Sequence, residues 1–334
     1  MLLIQFSTEG GATGVGVLEA GTARVRPLAG VASTHALALA AIDRGRAIES
    51  LVREAALDDA LDYDALAAQG RILPPLTHPD SAHCLVTGTG LTHLGSAESR
   101  DAMHQKLNRT EAHALTDSMK MFQLGLQGGK PAEGATGVAP EWFYKGDGSI
   151  LRAPGAAIES PAFALDGGDE AEVVGLYVIA PDGTPCRVGF ALGNEFSDHV
   201  TEQQNYLYLA HSKLRPCAVG PALRLGALPQ HVEGESRLRA VGGTVRWRKP
   251  VLSGEDNMSH SVRNLEHHHF KYALFRRPGD VHVHFFGAAA LSFADGVTVA
   301  PGERWEIESP AFGPPLVNTL SVQAAEPAVN VRAL

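Results

Sequence analysis

Residues Gly168 to His199 read GDEAEVVGLYVIAPDGTPCRVGFALGNEFSDH, and this stretch decides how the rest of the chain is interpreted. Glu170 and Glu172 stand one residue apart at the start of the apolar run Val173 to Ile179. On a strand both side chains therefore leave the same face. Pro181-Asp182-Gly183 is a strong turn signal, and a second strand follows from Arg187 to Glu195. An antiparallel hairpin centred on residues 182 to 183 sets Glu195 opposite Glu170. Like charges directly opposed across a strand pair are destabilising unless something neutralises them, and a divalent cation would do so. Three carboxylates on one face, with no Cys or His in strict ligand spacing, suit a hard ion, Mg²⁺ or Mn²⁺, better than Zn²⁺. The alternative is a solvated acidic strand end, with Glu195 turned away by a one-residue slip of register.

Outward from the hairpin, Ile158 to Asn318 is mainly β, with runs such as Val188 to Leu192, Gly243 to Trp247 and Val281 to Phe286 between turn signals. A helix over Val262 to Phe275 interrupts them. Towards the N-terminus, Arg109 to Ala139 reads as an insertion or flap with a helix-like piece from Glu111 to Met121. Leu2 to Leu28 is a small β-meander broken by glycines, and Ser33 or Thr34 caps one amphipathic helix from Ala36 to Leu57. A short helix and a linker containing Pro74-Pro75 follow. The expected organisation is a small N-terminal domain, 1–75, and a catalytic domain, 76–334, with a mixed α+β, β-rich fold.

The chain has 334 residues, 44% hydrophobic and 19% charged, so disorder, collagen and coiled coil are poor descriptions. Its net charge of −9, with no Lys/Arg cluster, argues against nucleic acid as a partner. Cys84, Cys186 and Cys217 form no CxxC pair, which favours a reducing compartment, and the cytoplasm is the expected location. No run approaches the ~20 apolar residues of a membrane span, and Met1 to Phe6 is too short for a signal peptide, so no membrane partner is expected.

Several ordered motifs carry a family resemblance. Trp142-Phe143-Tyr144-Lys145, Pro154-Gly155, Ile158, Pro161, Asp169-Glu170-Ala171-Glu172 and Gly189-Phe190-Ala191-Leu192-Gly193-Asn194-Glu195 together resemble the fumarylacetoacetate hydrolase superfamily. That family writes them as F-x-K, a Pro-Gly loop, E-x-E and G-Y-x-x-x-N-D. Gly220-Pro221, Pro278-Gly279-Asp280-Val281, Pro301-Gly302 and Leu316-Val317-Asn318 also match, and the Leu2 to Leu28 meander is similar to the family's small N-terminal domain. The resemblance implies a fumarylacetoacetate hydrolase-like β-sandwich or roll, a homodimer with sites near its interface, and Mg²⁺ or another divalent ion on Glu170, Glu172 and Glu195.

The departures bear on the reaction. Glu195 stands where the family has Asp. The family's His and Glu, three residues apart, correspond to His93 and Glu98, five apart, so the loop is rebuilt or the dyad is absent. The metal-proximal Lys aligns on His211, with Lys213 two residues later and of the same parity if the segment is extended. A Gly-Thr that holds a substrate carboxylate stands here as Gly287-Ala288.

With Gly-Leu-Thr-His-Leu-Gly-Ser at 90–96, this combination resembles a divergent branch of dehydratases acting on 2-keto-3-deoxy sugar acids in non-phosphorylative pentose breakdown. The implied substrate is a small 2-keto acid. Lys213 or His211 is the expected base, and His93 and Glu98 would assist departure of the hydroxyl. Thr92, Ser96, His199 and Gly287 are expected near the substrate. Lys145 either supports the Pro-Gly loop or covers a surface.

Two rival readings are an acylpyruvate carbon-carbon hydrolase and a non-catalytic sugar-acid-binding protein. No GxSxG elbow or phosphate loop is present. His282 and His284 share a strand face without an evident third ligand and read as packing. His267 to His269, ~100° apart on a helix, reads as a solvated patch.

Overall fold

The computed structural model describes residues 1–95, 116–288 and 290–334. Strands β1 (Leu2–Ser7), β2 (Thr13–Leu18) and β3 (Arg24–Pro27) form the antiparallel meander. The helix expected from Ala36 to Leu57 is instead two, α1 (Thr34–Asp43) and α2 (Ile48–Glu54). Ser33 caps α1 by accepting from the Ala36 amide, 3.0 Å. Gly45, at φ +60°, ends α1: its N–H bonds to Ile42 O and that of Arg46 to Ala41 O, the paired bonds of a left-handed C-cap. Beyond β4 (Leu61–Asp62) and α3 (Tyr63–Ala68) come β5 (Cys84–Gly90), α4 (Asp117–Gly128), β6 (Glu141–Asp147), β7 (Leu151–Arg152) and β8 (Ala157–Ser160). The hairpin is β9 (Ala171–Ile179) with β10 (Pro185–Asn194). Then follow α5 (His199–Gln204), α6 (Leu209–Lys213), β11 (Cys217–Val219), β12 (Ala222–Arg224), β13 (Val232–Arg239), β14 (Val245–Ser253), α7 (Val262–Phe270), β15 (Val281–Phe285), β16 (Arg304–Glu308) and β17 (Leu316–Val322).

One mixed sheet runs β4-β3-β2-β1-β12-β10-β9-β15-β5-β6, with β11 and β7 attached beside β10. A second runs β14-β13-β16-β17-β8. Because β1 pairs with β12, Leu2 against Arg224, the N-terminal meander lies in the plane of the main sheet. One apolar core takes Leu3, Val15, Leu37 and Leu51 together with Val86, Val174, Leu176, Val283 and Phe285. A second, built from Val173, Leu192, Phe196, Leu238, Trp305 and Leu320, joins the two sheets. The hairpin lies between these cores, and every residue of β9 is buried. An all-buried strand reads as a continuous apolar run, as Val173 to Ile179 nearly does.

Among the described residues no helix is long and apolar enough to cross a membrane. The α7 histidines correct the expectation of a solvated patch: His267 is exposed, but His268 and His269 are buried. The cause is the docking of α7 on the sheet, which stacks His269 on His284 at 4.4 Å between ring centroids. His269 is thus the third histidine beside His282 and His284 that the local sequence did not reveal.

Candidate metal centre

The β9–β10 register decides what the three acids do. Glu172 pairs with Gly193 and Ala171 with Asn194, and the Glu195 amide donates to Glu170 O at 3.0 Å. Glu195 therefore opposes Glu170, because a bulge between Arg187 and Gly189 moves the ladder by one residue from the register nearer the turn, where Ile179 pairs with Pro185. Asn194 fixes this end, since its Oδ1 accepts from the amides of Glu170 and Phe196, 3.2 Å each. Phe196 sits at φ +38°, a strained value for a residue with a side chain, and turns the chain sharply beyond Glu195. One carboxylate oxygen from each of Glu170, Glu172 and Glu195 lies within 4.8 Å of the others, and all three residues are buried.

Two lysines enter this cluster. Lys213 Nζ bonds Glu170 Oε1, Glu195 Oε2 at 2.6 Å and Ser197 Oγ at 3.0 Å, and lies 4.9 Å from the centre of the Phe143 ring. Lys145 Nζ donates to Glu195 Oε1 at 2.5 Å, Phe196 O at 2.7 Å and Lys213 O at 3.0 Å. Lys145 is 1% exposed, so it neither covers a surface nor has a donor to spare. It fastens the strand carrying Phe143-x-Lys145 to the turn after Glu195. His199, at the start of α5, places Nε2 3.2 Å from Glu170 Oε1 and Nδ1 3.5 Å from Asp166. Behind the cluster, Asp169 accepts from Ser236 Oγ at 3.0 Å and from Ser292 Oγ, tying the hairpin to the second sheet.

Charge is distributed unevenly among the three acids. Burial opposes ionisation of Glu170, yet Lys213 and His199 outweigh it and hold its carboxyl well below the usual range. Burial and the neighbouring Glu170 and Glu195 charges push Glu172 well above it. Glu172 Oε2 accepts from the Gly287 amide at 2.7 Å, whereas its buried Oε1 has no hydrogen-bond partner. Burial opposes protonation of His199, but Asp166 and Glu170 reverse this and raise it to about 10. For Lys213 burial is likewise outweighed, chiefly by Glu170 and Glu195, and its ammonium is held above the ordinary lysine range. An orphaned carboxylate oxygen facing two further carboxylates is the donor set of a hard divalent cation, and the residues present fit one.

The remaining predicted residues divide by position. Thr92 packs against Gly287, whose amide meets Glu172, and its hydroxyl bonds Phe286 O. His93 is buried, with Nε2 2.8 Å from Ser253 Oγ, and burial alone pushes it down to about 4. The preceding Leu91 stands at φ +56°, a second strained residue at the edge of the site. Ser96 and Glu98 lie outside the described residues. His211 is exposed and meets the Tyr208 ring edge-on. The parity argument placed it with Lys213, but α6 is helical, and residues two apart on a helix point about 200° apart. Sequence reasoning missed Ser197, Asp166 and Phe143. Only Phe143 left a signal, through its period-two spacing from Lys145.

No protein-family model matches the sequence, and no curated protein matches it. Solved structures do. 2-Keto-3-deoxy-D-arabinonate dehydratase, in its apo form and complexed with magnesium and 2,5-dioxopentanoate, superposes with a TM-score of 0.69 at 17% identity, covering 97% of this chain and 100% of that one. 5-Carboxymethyl-2-hydroxymuconate delta-isomerase from Mycobacterium smegmatis gives 0.58 at 15% identity, with the same coverages. 2-Hydroxyhepta-2,4-diene-1,7-dioate isomerase from Mycobacterium marinum gives 0.57 at 15%. The chain thus has the fold of these enzymes over nearly its whole length, the fumarylacetoacetate hydrolase-like fold that the motifs implied.

Proposed function

We propose that the chain belongs to the fumarylacetoacetate hydrolase superfamily and is a Mg²⁺-dependent dehydratase of a 2-keto-3-deoxy sugar acid, converting a 2-keto-3-deoxypentonate to 2,5-dioxopentanoate. The observation that carries this reading is the convergence of Glu170, Glu172 and Glu195 beside Lys213, on a fold shared end to end with a dehydratase whose structure holds magnesium and that product. Glu170, Glu172 and Glu195 would hold the ion, with Glu172 Oε1, buried and without a hydrogen-bond partner, ready to serve as a ligand. A bound divalent ion supplies Lewis-acid polarisation of the 2-keto group, which acidifies C3.

Lys213 is the proton carrier at this centre. Its Nζ bonds carboxylate oxygens that would hold a cation; a cation there would replace the ammonium as their counter-charge and favour the neutral amine, the form that can take the C3 proton. The C4 hydroxyl then departs with a proton as water and leaves a C3–C4 double bond; transfer of a C5 proton to C3 gives the C4–C5 enol, which ketonises to the C5 aldehyde, so the net change is loss of one water. Lys145 holds Glu195 in place, and His199 does the same for Glu170. His93, neutral and held by Ser253, supports the loop beside Gly287.

Purified protein with Mg²⁺ and 2-keto-3-deoxypentonates should yield 2,5-dioxopentanoate, read by chromatography of a hydrazone derivative. Cleavage of an acylpyruvate with no dehydration would favour the hydrolase, and ligand-dependent stabilisation without turnover would favour a binding protein.

A further inference from the structure

After β15 the chain makes a tight turn, Ser292 to Val297, whose side chains grip two different parts of the molecule. The turn is closed on itself: the amides of Asp295 and Val297 donate to Ser292 O at 3.1 and 3.2 Å, and Gly296, at φ +77°, brings its amide to Phe293 O at 2.9 Å. Ala290 before it and Val299 after it belong to the core that joins the two sheets. An element rooted in this way holds its side chains in fixed directions.

Two of these side chains reach Glu170 at one remove. Ser292 Oγ, fully buried, donates to Asp169 Oδ1, while Ser236 Oγ donates to the other oxygen at 3.0 Å. Asp169 is the residue before Glu170 and is itself fully buried. Phe293 lies nearly parallel to the His199 ring, with 5.1 Å between centroids and 19° between planes, and His199 Nε2 is 3.2 Å from Glu170 Oε1. One turn therefore holds the same acid twice, through its backbone neighbour and through its side-chain partner. Asp295 reaches the other way: its Oδ2 accepts from Trp247 Nε1 at 2.8 Å, and Lys249 Nζ donates to Oδ1 at 3.0 Å. Both partners stand on β14, the edge strand of the second sheet.

We propose that the Ser292–Val297 turn is the positioning element of the acidic centre, with Ser292 acting through Asp169 and Phe293 through His199, and that its anchor at Asp295 makes divalent-ion affinity depend on Trp247 of the outer strand. This rests on the Mg²⁺ reading of Glu170, Glu172 and Glu195. Groups placed behind metal ligands orient them, and their loss costs about 10–100-fold in affinity. Removing the Ser292 hydroxyl leaves a buried Asp169 oxygen without its donor, which loosens the backbone leading into Glu170. Removing the Phe293 ring uncovers one face of His199 and lets the imidazole tilt away from Glu170.

The test titrates the metal-free protein with Mg²⁺ by calorimetry and follows urea unfolding in EDTA beside it. Ser292→Ala and Phe293→Leu should each weaken Mg²⁺ binding by about 10-fold or more, and Phe293→Tyr, which keeps the stacked ring, should restore the wild-type constant. Trp247→Phe removes only the N–H that holds Asp295 and should weaken binding by a smaller factor. A role confined to holding the fold would lower the urea midpoint in EDTA and leave the Mg²⁺ constant unchanged. That result in both Ser292→Ala and Phe293→Leu would overturn the proposal, and an unchanged constant in Trp247→Phe would overturn the part assigned to β14. No Mg²⁺ binding by the wild type would overturn the metal reading of the acids, and the proposal with it.

Discussion

Replacing Glu172 by Gln should make the metal-free protein more stable and the metal-loaded protein less so. The side chain is buried, its Oε1 has no partner, and its carboxylate lies within 4.8 Å of two others. At that separation an ionised Glu172 would be repelled by a neighbouring carboxylate by roughly 3.5 kcal/mol at an effective dielectric of about 20, which adds to burial in pushing its carboxyl up. Lys213 and Lys145 serve Glu170 and Glu195 and offset part of this, so relief of the remainder is smaller. Gln keeps an oxygen for the Gly287 amide and turns the orphan acceptor into a donor towards carboxylates, a gain of about 1–3 kcal/mol. Wild type at a Mg²⁺ concentration about 100 times its dissociation constant gains about 2.7 kcal/mol, which the variant forgoes. Urea unfolding in EDTA and then in Mg²⁺ should therefore show the variant's advantage shrink by about 2.7 kcal/mol, to near zero or below. A variant less stable than wild type in EDTA, yet still stabilised by Mg²⁺, would refute the reasoning.

Lys145→Met should cost about 3–5 kcal/mol whether or not metal is present, because Glu195 and two carbonyls lose a buried cation; urea unfolding measures it. Lys213→Met should lower kcat by about 10²-fold or more while Mg²⁺ still raises the melting temperature, since all three acids remain. Stability should fall as pH drops from about 6.5 towards 4. Burial lowers His282 to about 4 and His284 to about 3, so below the ordinary histidine range the unfolded chain binds protons that the folded chain refuses. His269→Phe, which removes a third buried histidine of this cluster, should flatten that slope in urea unfolding measured against pH. Gly88→Ala should cost about 1–3 kcal/mol and reduce activity, because a Cβ there runs into the Phe143 ring that faces Lys213; unfolding and turnover together test this.

The hairpin was legible because its turn, its alternation and its acids are local. The bulge moves the register by one residue from that nearer the turn and so brings Glu195 opposite Glu170, and Asn194 pins that end. Lys145 and Lys213 were harder to place, since a charged side chain reads as surface unless its partners are known, and those partners lie 50 to 68 residues from Lys145 and 16 to 43 from Lys213. His211 misled because parity holds on a strand and fails on the short helix that forms there. The break between α1 and α2 was written in Gly45, but its left-handed cap is visible only with the backbone bonds. His269 joined His282 and His284 through the docking of a helix, which periodicity within one segment does not reveal.

The pairing of β1 with β12 carries a consequence for synthesis. Leu2 to Ile4 wait for partners at Ala222 to Arg224, so at about 5–20 residues per second the strand spends about 10–45 s with one edge open on the ribosome. That edge belongs to the apolar run LLIQF, the kind of template that attracts other chains. Nascent-chain shielding by a chaperone, rather than equilibrium stability, is where the yield of this protein should be decided.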